Sequence, residues 1–329
     1  MQIIRRENMT FICPSCKAGM NLPLCSCGYA VPCENGIWQL SNMPDIITQG
    51  DGDKYIGYEF IGKSYSGSRK YTIEEGDRLF AQEVSKETGE GVFLDLACGD
   101  GCFTVPCASF GTKIIAGDIS NAMLSILQKK AEYNHISLGN VTLCRMNALE
   151  IPLTDNSVDT VVANSVLHLI SNPEKVVSEI YRVLKKGGKF ICKDDRPGKD
   201  FDNTFDNTKY LEVLNFFYSE YWNKLKAYQI YPKKYSWNFN REAVCDKLFA
   251  RKKEKLIERG NVYENPLKDG FLPRFNGRGF SDQVDVPQDL HDIVMNELLN
   301  EAKSKYGEEF SNIAFKGIEE DLLITIFTK

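Results

Sequence analysis

Val92-Phe93-Leu94-Asp95-Leu96-Ala97-Cys98-Gly99-Asp100-Gly101 is the stretch that decides the fold, and seventeen residues after it comes Asp118. Val92 to Leu96 is an apolar run of strand length that breaks into a glycine-bearing turn, after which Phe103 to Phe110 can form a helix. Glycine suits such a turn because a backbone without Cβ bends sharply and lets a ligand lie against its amides. A second apolar run, Ile114-Ile115-Ala116-Gly117, ends at Asp118, whose carboxylate can accept two hydrogen bonds from a ribose. A glycine turn alone is common in α/β domains. The turn paired with the distant acid has the layout of a nucleoside-cofactor site.

The glycines do not fit the GxGxxG pattern of dinucleotide-binding dehydrogenases. The run reads Asp-x-Ala-x-Gly-x-Gly and resembles motif I of class I S-adenosylmethionine (AdoMet) methyltransferases. Ala97 stands where their first glycine is usual, and alanine fits if its φ is negative. The similarity continues through Met146-Asn147-Ala148-Leu149-Glu150-Ile151-Pro152-Leu153, Ser157-Val158-Asp159-Thr160-Val161-Val162-Ala163-Asn164 and Val166-Leu167-His168-Leu169. It runs on through Glu179 to Ile191, so that from about Gly91 to Asp195 the match is continuous and of the ubiquinone/menaquinone-biosynthesis type.

The residues support the same architecture by themselves. Asn172 can cap a helix beginning at Pro173, with Val176, Val177, Ile180, Val183 and Leu184 as one apolar stripe. Gly187 suits the left-handed position that ends this helix, and Lys189 to Cys192 read as a strand. Ser120 caps another helix, with Met123, Leu124 and Leu127 on one face. Such alternation predicts a mostly parallel sheet with both faces covered and ligands at the carboxyl ends of its strands. Asp95, Asp118, Asn147, Asn164 and Asp194 all fall at those ends.

The resemblance implies an AdoMet site in which Asp118 holds the ribose, Asn147 and Ala148 the adenine edge, and Ile119 and Met123 the ring faces. The turn of Ala97, Cys98, Gly99 and Gly101 would hold the methionine portion, with Asp95 supporting the turn or the ammonium and Asn164 beside them. Tyr55 and Tyr58, ahead of an amphipathic helix at Thr72 to Lys86, either cover the cofactor or pack that helix on the sheet. Methyl transfer is an in-line displacement, so a general base is needed only if the acceptor must lose a proton early. His168 and Asp194 are the candidates, although a histidine at a helix start is also commonly structural.

Cys13-Pro14-Ser15-Cys16 and Cys25-Ser26-Cys27-Gly28 are separated by eight residues, close enough for four thiolates to surround one ion. Soft sulfur donors favour structural zinc, and this segment, to about Leu40, resembles the zinc ribbon ahead of some bacterial methyltransferases. The second pair is Cys-x-Cys rather than Cys-x-x-Cys, which leaves Cys33 as an alternative to Cys25; unligated thiols are the plainer alternative.

At 329 residues and 43% hydrophobic content the chain can build one large core with additions. A formal charge of −5 argues against an overall basic nucleic-acid binder. No apolar run reaches the about 18 residues that would span a membrane, and no signal-like segment follows Arg5 and Arg6, so a cytoplasmic protein is expected. The cysteine distribution favours metal over disulfides.

Past Asp195 the alternation stops, and twelve aromatic residues lie between Phe205 and Phe239. Tyr210, Phe216, Phe217, Tyr218, Tyr221, Trp222 and Tyr228 recur at helical spacing, either as a lid lining an apolar or aromatic acceptor's pocket or as a satellite core. Arg251-Lys252-Lys253-Glu254-Lys255 reads as a solvated helix face. Pro287 to Tyr306 is a helical pattern, and Asn312 to Phe315 and Leu322 to Phe327 read as last strands joined like a hairpin.

The sequence thus predicts a Rossmann-like α/β fold, mostly parallel with an antiparallel last strand, divided into a ribbon (1–45), a linker and cover helix (46–90), a core (91–195 and 286–329) and a lid insertion (196–285). The leading expectation is methylation of a small molecule. An RNA methyltransferase gripping nucleic acid with its ribbon and with Lys224, Lys226, Lys233 and Lys234 is the alternative, and a cofactor-free interaction module is a third. Cys98, Cys102 and Cys107 suggest metalloid or thiol methylation, or are core cysteines.

Overall fold

The computed structural model describes residues 10–41, 71–167, 170, 172–196, 205–232, 240–280, 282–283, 286–319 and 321–329, with backbone alone at 194–196. Tyr55, Tyr58, His168, Lys233 and Lys234 lie outside the described residues, as does the side chain of Asp194.

The chain opens with two small hairpins, β1 (Phe11–Ile12) with β2 (Gly19–Met20) and β3 (Cys33–Glu34) with β4 (Ile37–Gln39). Helix α1 (Glu75–Thr88) leads into β5 (Val92–Leu96), α2 (Thr104–Ser109), β6 (Lys113–Asp118), α3 (Asn121–Tyr133), β7 (Val141–Arg145) and β8 (Val158–Val162). Then come α4 (Pro173–Val183), β9 (Leu184–Arg196), α5 (Thr208–Lys226), α6 (Arg241–Leu248), β10 (Arg251–Ile257) and β11 (Val262–Pro266). The chain ends with α7 (Phe271–Asn276), α8 (Gln288–Tyr306), β12 (Ala314–Ile318) and β13 (Asp321–Thr328).

Nine strands form one sheet in the order β10-β13-β9-β8-β5-β6-β7-β4-β3. Strands β7, β6, β5, β8 and β9 are parallel, and β13 runs antiparallel to both neighbours, as expected. The order reverses between β5 and β8, which opens the crevice where open α/β sheets bind ligands. Strand alternation sorts the core. Leu94, Ile115, Val161 and Phe190 face α4, whose stripe Val176, Val177, Ile180 and Val183 is fully buried. Phe93, Ile114, Val162 and Ile191 face the side of α1, α2 and α3. Ser120 caps α3 through the Met123 N–H, and Asn172 caps α4 through the Lys175 N–H.

Four expectations need correction. Residues 251–257 are an edge strand of the main sheet, not a helix face: β10 pairs with Leu322 to Thr328. Its run of exposed charges carries no apolar period to read, and charge is what protects a sheet edge from further pairing. Strands β12 and β13 are not partners, because β12 pairs with β11 in a separate two-stranded sheet. Gly187 does not end α4; the helix stops at Val183, Leu184 is extended, and Gly187 (φ 78) lies in an irregularity of β9 where pairing jumps from Val158/Leu184 to Thr160/Lys189. Ala97 takes φ 57 instead of a negative value.

The aromatic insertion builds a third core. Tyr210, Val213, Phe217, Tyr221 and Leu225 of α5 pack with Phe271 and Phe275 of α7 and with Val294, Met295 and Leu298 of α8. His291 is fully buried there, its Nε2 facing the Asn276 carbonyl at 2.9 Å and its Nδ1 facing the Tyr221 hydroxyl at 2.7 Å. Burial holds its pKa down, so the neutral ring donates from Nε2 and accepts the Tyr221 O–H at Nδ1. Among the described residues no helix is long and apolar enough to cross a membrane.

Candidate active site

At the carboxyl end of β5 the backbone turns back on itself: the Cys98 N–H donates to the Gly117 carbonyl at 3.0 Å and the Gly101 N–H to the Cys98 carbonyl at 2.9 Å. Gly101 is required twice over, since its φ is 81 and a Cβ there would lie 2.5 Å from Leu127 Cγ. Ala97 occupies a left-handed conformation that disfavours a Cβ by about 1–2 kcal/mol, the kind of strain found where a turn is fixed by function.

Asp118 faces this turn from the end of β6. One carboxylate oxygen accepts the Gly99 N–H at 2.9 Å and the other accepts the Ser120 N–H at 2.9 Å. A cavity of about 280 Å³ opens above them. Asp95, Ala97, Cys98, Gly99, Asp118, Ile119, Met123, Asn147, Ala148 and Asn164 all line it, so ten of the expected cofactor residues converge from β5, β6, β7 and β8. Gly101 shapes the turn from behind rather than lining the cavity. Tyr55 and His168 fall outside the described residues, and Asp194 is described only as backbone, paired with Leu323.

Burial pushes the Asp95 carboxyl up to about 7, and the nearby Asp118 and Asp100 carboxylates add to the effect; the Thr104 hydroxyl, donating at 2.6 Å, partly offsets it. Burial beside the same acids holds the Cys98 thiol protonated. Cys107 is likewise buried and raised, so these two are core thiols and not nucleophiles. The Asn147 side-chain oxygen accepts the Leu149 N–H at 2.9 Å, which fixes a local turn.

Sequence reading missed two ion pairs. Lys130 of α3 is buried and reaches Asp100 at 2.9 Å, while the Cys102 thiol donates to the other Asp100 oxygen at 3.0 Å. Lys193 of β9 pairs with Asp77 of α1 at 3.0 Å and sits 5.7 Å from the centre of the Phe103 ring. Glu74, Asp77, Phe103, Val166, Ile170 and Lys193 also line the cavity. None of the described residues after Lys193 lines it, and the described part of the aromatic insertion builds a core of its own.

The second cluster is at the amino terminus. The Sγ atoms of Cys13, Cys16, Cys25 and Cys27 lie within 4.8 Å of one another, with Cys13 to Cys27 at 3.8 Å and Cys16 to Cys25 at 3.6 Å. Thiolates about 2.3 Å from a tetrahedral zinc ion are separated by about 3.8 Å, so the donor set fits that ion. Cys25 rather than Cys33 is the fourth sulfur; Cys33 lies in β3. Of the basic residues considered for nucleic acid, Lys224 is held by Glu297 at 2.9 Å and Glu301 at 2.7 Å, Lys226 donates to Asn223 at 3.0 Å, and Lys233 and Lys234 lie outside the described residues.

Comparison with known proteins agrees with this geometry. Residues 94–192 match the family model described as a methyltransferase domain. A demethylmenaquinone methyltransferase of Symbiobacterium thermophilum is 34% identical over 125 residues, covering 36% of this chain and 48% of that protein. A sterol 4-C-methyltransferase of Caenorhabditis elegans is 29% identical over 174 residues, covering 50% and 48%. The chain thus spans about half the length of these curated relatives. A solved phosphoethanolamine N-methyltransferase 2 of Haemonchus contortus, in complex with S-adenosylhomocysteine, aligns with 17% identity and a TM-score of 0.44, covering 87% of this chain and 61% of that one.

Proposed function

We propose that this chain, which carries a methyltransferase domain over residues 94–192, transfers a methyl group from AdoMet to a small-molecule acceptor. The observation that carries the reading is the placement of Asp118 across from the turn of Ala97 to Gly101, at the reversal of strand order between β5 and β8. AdoMet, when bound, supplies an electrophilic methyl carbon on a positively charged sulfur. Asp118 would hold the ribose diol, the loop at Asn147 and Ala148 the adenine edge, and the 97–101 turn the amino-acid tail. Asp95 is placed to meet a cationic group, which would return its carboxyl to the ionised form.

The transfer breaks the sulfur–methyl bond and forms one bond to the acceptor, with the sulfonium's bonding pair returning to sulfur and the acceptor's proton, if it has one, passing to a base or to solvent. Positioning is the main work, because the nucleophile must wait about 3–3.5 Å from the methyl carbon along the axis of the leaving bond. The relatives' names point to quinone-type and sterol acceptors, and the apolar lining residues Phe103, Val166 and Ile170 suit a planar or apolar molecule. His168 and Asp194 remain the first candidates to accept a proton. The Cys13, Cys16, Cys25 and Cys27 set would hold one zinc ion in a closed, structural site, in keeping with a reducing cytoplasm and with eleven free cysteines.

Calorimetry with S-adenosylhomocysteine, followed by transfer of labelled methyl from AdoMet to reduced naphthoquinones and to sterols, tests the reading. One saturable nucleoside site and labelled small-molecule product are expected. A folded protein that binds neither form of the cofactor at millimolar concentration would rule it out.

A further inference from the structure

The cysteine module and the cofactor wall are built against one another. Residues 146–157, which connect β7 to β8, contain no helix, and their first part, Met146 to Leu149, is the wall of the cavity proposed to meet the adenine. From one side the Glu179 and Arg182 side chains of α4 hold Ile151, Leu153 and Asp155, and from the other the amino-terminal module holds the segment. The Ile12 N–H donates to the Pro152 carbonyl at 2.9 Å, the Thr154 N–H donates to the Thr10 carbonyl at 2.9 Å, and Lys17 meets Glu150 at 3.1 Å. On the other flank β4 adds to the sheet alongside β7, and the Leu40 N–H donates to the Arg145 carbonyl at 3.0 Å. Arg145 in turn donates from Nε to the carbonyl of Ile119, another cavity residue, at 3.0 Å.

The sulfur ligands sit inside this clamp. Cys13 follows Ile12 directly, and the Cys13 to Ala18 turn that carries Lys17 closes through the Cys13 N–H on the Ala18 carbonyl at 2.8 Å. A second cavity, of about 360 Å³, is lined by Cys13, Pro14 and Lys17 together with Asn147 and Glu150, so a residue of the cofactor wall borders the same space as the cysteine module. Hairpins of two or three residues a strand offer little core of their own, and the apolar residues of the module (Phe11, Met20, Val31, Leu40) are buried in one cluster with Leu96, Met146, Ile151 and Leu153. An ion among the four sulfurs is therefore what would fix the clamp's geometry.

We propose that the four-cysteine module is a positioning element of the cofactor site, which holds the adenine wall in place through Ile12, Lys17 and Leu40. The inference rests on the reading that AdoMet occupies the cavity. Ion occupancy and cofactor affinity are then linked, and linkage is reciprocal: whatever factor the ion contributes to cofactor binding, the cofactor must contribute to ion retention.

The test uses the full chain with zinc as the metal and S-adenosylhomocysteine as the nucleoside. Replacing the two exposed ligands, C16S/C27S, should abolish bound zinc and weaken S-adenosylhomocysteine binding by about tenfold, within the range usual for coupled sites. It should also lower the preference for S-adenosylhomocysteine over S-inosylhomocysteine, because the wall reads the adenine edge; a loss of stability alone would leave that ratio unchanged. Where the variant does not fold, the intact protein decides: chelator competition should show zinc held about tenfold more tightly when S-adenosylhomocysteine is saturating. Equal zinc affinity with and without the nucleoside, or affinity and preference within threefold of wild type in the zinc-free variant, overturns the proposal. Wild-type protein that binds zinc but no nucleoside would instead refute the cofactor reading beneath it.

Discussion

Replacing Asp118 by alanine is the sharpest perturbation of the site. In the free protein its carboxylate accepts two amides, from Gly99 and Ser120, each at 2.9 Å. Hydrogen bonds to a charged group contribute about 1.5–3 kcal/mol each, but water entering the cavity can replace the lost acceptor, so the free variant should lose only about 1–3 kcal/mol of stability. With the nucleoside bound, that water is displaced and the ribose hydroxyls have no carboxylate to meet. Two such bonds, discounted for non-additivity, come to about 3 kcal/mol, or about a hundredfold in affinity. Asp118→Asn should fall between wild type and Asp118→Ala, because its amide nitrogen would confront one of the two N–H donors. Calorimetry with S-adenosylhomocysteine, alongside thermal melts by circular dichroism, separates affinity from stability. If folded Asp118→Ala binds within threefold of wild type, the assignment of the ribose site is refuted.

Three further expectations follow from the same geometry. The Asp95 carboxyl titrates near 7 in the folded chain, above its ordinary value, so the folded state holds a proton that the unfolded state has released between about pH 4 and 7; apo stability should fall as pH rises through that window, and Asp95→Asn should flatten the melting temperature against pH. Affinity for the nucleoside's ammonium-bearing tail should rise from pH 6 to 8 in wild type and not in Asp95→Asn, as titration calorimetry at each pH would show. Lys130→Met leaves Asp100 buried without its partner and should destabilise the fold by about 3–5 kcal/mol, while adding Asp100→Asn should recover part of the loss; equal melts for wild type and Lys130→Met would show that the pair is not needed. Ala97→Gly should relieve about 1–2 kcal/mol of left-handed strain against about 0.5–1 kcal/mol of added backbone entropy, for a small net rise in denaturation midpoint; a fall would mean that Cβ contacts outweigh the strain.

The parts of the fold that were legible are those encoded locally. A cap is read from one residue and its helix, as with Ser120 and Asn172, and the Val176 to Val183 stripe is read from period alone. The glycine turn and Asp118 could be paired because strand, turn, short helix and strand follow each other within 27 residues, from Val92 to Asp118. The ion pairs of the site were illegible, since Lys193 and Asp77 are 116 residues apart and meet only because β9 and α1 share one face of the sheet. Nothing in the local sequence marks Lys130 as buried, and only tertiary packing brings its ammonium to Asp100 of the turn. The charged strand β10 hid for a different reason: at a sheet edge the partner supplies the pairing, so the sequence needs no apolar alternation of its own. Likewise nothing in Ile37-Trp38-Gln39 announced that it would extend the main sheet beside β7.

The charges around the cavity tie these pieces to one chemistry. Five carboxylates line it among the described residues, from Glu74, Asp77, Asp95, Asp100 and Asp118, against one cation, Lys193. Two of the acids are matched by lysines, Asp77 by Lys193 and Asp100 by Lys130, and Asp118 receives two backbone amides. Asp95 is met by the Thr104 hydroxyl and backbone and, among the described residues, by no lysine, and burial beside Asp118 and Asp100 pushes its carboxyl up to about 7. A ligand bearing two positive centres and one negative, as AdoMet does, corrects that imbalance. A neutral nucleoside does not, and a dinucleotide, with its pyrophosphate, would make it worse. The charge lining the cavity thus accords with a cationic methyl donor better than with a pyrophosphate-bearing nicotinamide cofactor, which a strand, glycine turn and acid would otherwise also admit.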